Sequence, residues 1–144
     1  MQLAPEIRQR LLTFQRVEIT EHHIYQFLAR REKSPENRRV FEKIAADELR
    51  HYQNWSRYTA QEVEPDRLAI WKYTLISRLF GFTFAIKLME RGEAKAQADY
   101  TALLPVIPEV QDWIKDEEAH EQLLIALLDE EILHYAGSVV LGLN

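Results

Sequence analysis

The chain has 144 residues, a formal charge of −5 and a pI near 5.6, a length that suits one domain burying roughly 70% of its unfolded surface. The acid excess excludes a nucleic-acid binder, which needs a basic surface to neutralise phosphates. Cysteine is absent, so disulfides, thiolate zinc sites and iron–sulfur clusters are excluded and any metal must be held by nitrogen and oxygen.

Only 4 Gly and 5 Pro occur, which favours helix over most of the length and an all-α fold. Pro5 can open a helix, and Ile7, Leu11, Phe14, Glu18, Glu21, Tyr25 and Leu28 then recur at helical spacing, predicting helix A over about 5–32 with acids inside its apolar stripe. Arg30, Arg31, Lys33, Arg38 and Arg39 flank Ser34-Pro35 and read as a solvated corner between helices.

Ser34-Pro35-Glu36 supplies an N-cap, a first-position proline and a first-turn acid. It opens a stripe of Phe41, Ile44, Ala45, Glu48, His51, Tyr52 and Trp55, predicting helix B to about residue 62, where Glu64-Pro65-Asp66 stops it.

Residues 66–80 are rich in bulky apolar side chains and read as a crossover helix, with Gly81 marking a break. Helix C then carries Phe82, Ile86, Met89, Glu90, Glu93, Gln97 and Tyr100 until Pro105 and Pro108. Helix D begins near Glu109 and presents Val110, Trp113, Ile114, Glu117, His120, Leu124 and Leu127 before Gly137. Two short corners and one long B-to-C link give the connectivity of a ferritin-like four-helix bundle. The expected domain is 1–136, with an apolar tail at 137–144.

Buried carboxylates are costly unless paired or bound to a cation, yet each of the four stripes contains one. Glu48-Leu49-Arg50-His51 and Glu117-Glu118-Ala119-His120 are both E-x-x-H, which puts a carboxylate and an imidazole on one helix face. Random placement of the glutamates and histidines gives about 0.6 such matches, against three here. The third, Glu131 to His134, lies 14 residues beyond Glu117, about 21 Å along a helix, and reads as a surface pair.

The arrangement is more specific than the count. Glu18 precedes Glu48 by 30 residues and Glu90 precedes Glu117 by 27, so each half of the chain offers one helix with Glu and a second with E-x-x-H. That is the ligand set of carboxylate-bridged di-iron and di-manganese bundles. Glu and His suit Fe and Mn, and zinc also binds such a set.

These residues resemble the rubrerythrin branch of the ferritin-like superfamily. The resemblance implies Glu18, seven residues before Tyr25, as the helix A ligand, with Glu21 as the alternative on the same face. It implies that Glu90-x-x-Glu93 supplies an extra ligand through Glu93; the other reading of Glu93 is an exposed acid paired with Lys87 or Lys95. Tyr25 is either a hydrogen-bond partner of a bridging carboxylate or a packing residue. The chain departs from rubrerythrins proper in lacking a cysteine-rich electron-transfer domain.

A second resemblance covers Tyr135-Ala-Gly-Ser-Val-Val-Leu-Gly-Leu-Asn144, which is similar to the entry to the membrane domain of vacuolar iron transporters; an ordinary apolar tail after a Gly137 C-cap is the competing reading. No apolar run reaches the roughly 20 residues that span a bilayer, and Met1-Gln2-Leu3 does not begin a signal peptide. The expectation is a soluble domain in a reducing, cytoplasmic compartment, at the face of a membrane where a transporter domain follows.

The resulting expectation is two Fe ions, with Mn or Zn as alternatives. Glu18, Glu48 and His51 would hold one ion, and Glu90 or Glu93, Glu117 and His120 the other, with Glu48 and Glu117 bridging. The expected chemistry is oxidation of ferrous iron by O2 or peroxide, in a homodimer. The alternative is a non-catalytic module that captures or senses metal for a transporter.

Overall fold

The computed structural model describes the backbone of residues 3–97 and 103–140 and the side chains of residues 3–89 and 103–127. Among these the regular structure is helical: α1 (Pro5–Arg31), α2 (Pro35–Thr59), α3 (Arg67–Phe80), α4 (Phe82–Gln97) and α5 (Val110–Val140). The all-α bundle with a crossover helix between its second and third long elements is therefore the observed fold.

The corner between α1 and α2 forms as its residues dictate. Ser34 Oγ accepts from Asn37 N at 3.4 Å, and Pro35 occupies the first turn, where its missing N–H costs nothing. Arg38 closes the corner by donating from Nη2 to the Glu32 carbonyl at 2.8 Å. Arg30, Arg31, Lys33, Arg38 and Arg39 are all exposed, as a solvated corner requires.

Two helix ends differ from expectation. Helix α2 stops at Thr59 rather than near 62, because Ala60 takes a left-handed conformation (φ 52, ψ 34) and its N–H returns to Ser56 O at 2.8 Å. The following loop then finds side-chain partners. Val63 N donates to the Tyr52 hydroxyl at 2.9 Å and Asp66 N to Thr20 Oγ1 at 2.9 Å. Helix α5 continues through Gly137 to Val140 rather than stopping before it, since an interior glycine costs a helix only about 1 kcal/mol and does not by itself end one. The rest of the tail, 141–144, lies outside the described residues.

Helices α3 and α4 are separated by Gly81 alone, whose φ of 90° and ψ of 161° break the helical path. Only glycine adopts that conformation without strain. Among the described residues no helix is long and apolar enough to cross a membrane.

The core is split along the bundle axis. One apolar cluster gathers Tyr25, Leu28, Phe41, Ile44, Ile86, Met89, Leu124 and Leu127; the other gathers Leu11, Phe14, Trp55, Leu103, Ile107, Val110 and Trp113. On α1, α2 and α5 alike, the residues between these clusters are polar: Glu18, then Glu48 and His51, then Glu117 and His120. A polar layer is thus sandwiched between two dry ones. Helix α3 behaves differently: Leu68, Trp71, Leu79 and Phe80 are each more than 60% exposed.

Candidate metal centre

Glu18, Glu48, His51 and Glu117 each direct one ligand atom to a common point, all within 4.8 Å of one another. Glu18 and Glu48 are essentially buried, as are His51 and His120. His51 Nδ1 lies 3.6 Å from Glu18 Oε2, 3.7 Å from Glu117 Oε1 and 4.0 Å from Glu48 Oε1. His120 Nδ1 lies 3.1 Å from Glu48 Oε1 and 3.9 Å from Glu117 Oε1. The two imidazoles, with ring centroids 6.2 Å apart, therefore share Glu48 and Glu117 as neighbours, while Glu18 stands on the His51 side.

The far nitrogens of both rings are held by carboxylates that sequence reading missed. His51 Nε2 meets Asp116 Oδ2 at 2.9 Å, and His120 Nε2 meets Asp47 Oδ2 at 2.8 Å. In the neutral ring an aspartate at Nε2 takes the N–H and leaves the lone pair on Nδ1, the tautomer that offers a ligand atom on the side of the carboxylate oxygens. A cation between them satisfies that set. Glu18 Oε2, Glu48 Oε2, His51 Nδ1 and His120 Nδ1 are buried without a hydrogen-bond partner among the described residues, which fits a metal and would be costly without one.

The proton energetics show the same crowding. Burial, together with the Glu18 and Glu117 carboxylates, holds Glu48 well above the usual carboxylate range. Burial pushes Glu18 upward too, but the neighbouring Glu48, His51 and Trp113 groups outweigh this and leave it lowered. Burial opposes the charged form of His51, yet Glu18 and Asp116 raise it on balance; for His120 burial wins over Asp47 and it is lowered.

Arg50 ties the outer shell together, donating from Nη2 to Asp47 Oδ1 at 2.9 Å and to Asp116 Oδ2 at 2.8 Å. A signal for the aspartates was present. Asp47-Glu48 and Asp116-Glu117 give both halves D-E-x-x-H, but i,i+4 spacing suggests Asp47 with His51, whereas the observed pairs cross between α2 and α5. Trp113, expected only as apolar stripe, donates from Nε1 to Glu18 Oε1 at 2.6 Å.

The other candidates fall as follows. Glu21 is buried on α1 but is not among the four converging residues. Tyr25 is buried in the first apolar cluster, its ring tilted against Phe41 at 6.2 Å. Glu90 and Glu93 belong to α4, but their side chains, like those of Glu131 and His134, lie outside the described residues.

Among curated proteins and among solved structures, none matches the chain. A family model does: the rubrerythrin model matches residues 13–136, from the third turn of α1 through most of α5 and so across every residue of the polar layer. The chain belongs to the rubrerythrin family.

Proposed function

We propose that this domain binds two iron ions in the polar layer and oxidises ferrous iron with O2 or peroxide. The observation that carries the reading is the pair of buried Nδ1 atoms, each fixed by an aspartate behind it and aimed at shared carboxylates. His51 with Glu18 would hold one ion and His120 the other, Glu48 and Glu117 would bridge, and Glu90 or Glu93 on α4 would complete the second position. Two ferrous ions held together supply two electrons to the oxidant, and anionic ligands favour the ferric product.

The chain's own residues prepare that chemistry. Asp47 and Asp116 set the imidazole tautomers and raise their basicity. The apolar clusters above and below exclude water and strengthen the electrostatics in the layer. Glu48 must release its proton for iron to enter, so binding becomes tighter as pH rises. The test is aerobic mixing of metal-free protein with ferrous iron. Oxidation should exceed the protein-free rate and be lost in Glu48→Ala; a rate equal to the protein-free control contradicts the reading.

A second reading is a module that captures or senses iron or manganese for a membrane transporter on its C-terminal side. It is favoured by the likeness of residues 135–144 to the entry of a transporter membrane domain. It predicts stoichiometric binding with little turnover. The apolar stripe of α3, with Leu68, Trp71, Leu75 and Leu79 exposed at helical spacing, is an interaction surface, and we take a second copy of the chain as its occupant in either case.

A further inference from the structure

Two buried tryptophans lead from the polar layer towards the surface, and neither holds a metal. Trp113 donates its Nε1 proton to Glu18 Oε1 at 2.6 Å, and its ring centroid is 6.2 Å from that of His51. Trp55, 1% exposed, lies against it with ring centroids 6.5 Å apart. Tyr58 follows one turn along α2, packs against the same cluster as both indoles, is partly exposed, and donates its hydroxyl to Glu109 on the surface.

Indole and phenol give up one electron more readily than aliphatic or amide side chains. Transfer between aromatic rings packed in one cluster also outruns transfer across the same span of aliphatic packing. Glu109 is placed to take the proton that oxidation of Tyr58 releases, and the Glu18 carboxylate that accepts the Trp113 N–H favours positive charge on that indole. Trp55 Nε1, between them, has no acceptor among the described residues, so charge can pass through it without proton loss.

We propose that Trp113, Trp55 and Tyr58 form a one-electron relay between the metal layer and the protein surface. The proposal rests on the oxidative reading above and adds the route by which further electrons arrive. Reduction of O2 to two waters takes four electrons and four protons, and two ferrous ions supply only two electrons. The relay supplies the other two singly.

In each passage Trp113 would lose one electron to the oxidant, its Nε1–H staying hydrogen-bonded to Glu18. Trp55 would then reduce Trp113, and Tyr58 would reduce Trp55 while its phenolic proton moves to Glu109. A soluble one-electron reductant of the ascorbate class finally reduces Tyr58, which takes its proton back. The net input is one electron from the reductant, and the protons for water come from solvent.

The test uses ferrous-loaded protein given an O2 pulse without reductant. Organic radical is followed by freeze-quench electron paramagnetic resonance, oxidised peptides by mass spectrometry, and ferrous loss in the same samples. Wild type should show a tyrosyl radical and oxidation at Tyr58. Tyr58→Phe should replace that signal with a tryptophanyl one, and Trp55→Phe should lower Tyr58 oxidation by at least an order of magnitude per iron oxidised. Restored decay of the radical with ascorbate is expected only in wild type. Iron oxidation without an organic radical, or a tyrosyl signal unchanged in Trp55→Phe and Tyr58→Phe, overturns the relay alone. Absence of iron oxidation overturns the reading beneath it and the relay together.

Discussion

Asp47 on α2 holds the imidazole of His120 on α5, with Oδ2 at 2.8 Å from Nε2. Its counterpart runs the other way, from Asp116 on α5 to His51 on α2. Each D-E-x-x-H segment thus supplies the carboxylate that orients the histidine of the other, so the two helices are coupled through the site. Asp47→Ala should weaken metal binding about 10–100-fold, as isothermal titration would show, while helical content is retained. Unchanged affinity would mean that Asp47 does not set the His120 tautomer.

Glu48→Gln separates stability from binding. The folded-state pKa of Glu48 is raised by burial and by Glu18 and Glu117, so its contribution to stability is present below the ordinary carboxylate pKa and is lost as pH rises through the raised value. Glu18, being lowered, has the opposite sign: its contribution is present above the ordinary value and lost as pH falls through the lowered one. Metal-free wild type should therefore lose thermal stability relative to Glu48→Gln as pH climbs above the carboxylate range. Added metal should reverse the order, because at a hundredfold excess over Kd binding stabilises wild type by about 2.7 kcal/mol. Parallel melting curves across pH for the two proteins contradict this.

Gly81 sets the angle between α3 and α4 through its positive φ. An added Cβ there meets nothing within 4 Å, so Gly81→Ala should cost about 1–3 kcal/mol from backbone strain alone. Chemical denaturation measures this, and a cost near zero would show that the helices re-pack without strain.

The exposed face of α3 gives a prediction about assembly. Leu68→Glu with Trp71→Lys should convert a dimer to a monomer in light scattering while each chain keeps its helical content, since both side chains are more than 60% exposed. A wild-type chain that is monomeric at all concentrations contradicts the homodimer.

Much of the fold was legible because apolar periodicity, Pro5, Ser34-Pro35 and Gly81 each act locally. The αL cap at Ala60 was not, because it is fixed by the loop folding back onto Tyr52 and Thr20, contacts that periodicity does not contain. Gly137 misled in the other direction, since glycine weakens a helix without ending it. Of the site, the glutamates and histidines announced themselves as polar residues in apolar stripes. Asp47, Asp116 and Arg50 lie one step off those stripes and look like ordinary surface charges until the helices are packed. Trp113 looked like plain core, because no pattern in a single helix tells an indole that packs from one that also donates to a carboxylate across the bundle.

The proposed chemistry requires two metal ions in the layer between the apolar clusters, one beside His51 and one beside His120. Anomalous diffraction from iron-loaded crystals above and below the iron edge tests it most directly. Two peaks per chain are expected, both flanked by Glu48 and Glu117 and each next to one Nδ1. No peak in the layer, or a single ion bound only on the surface, would contradict it.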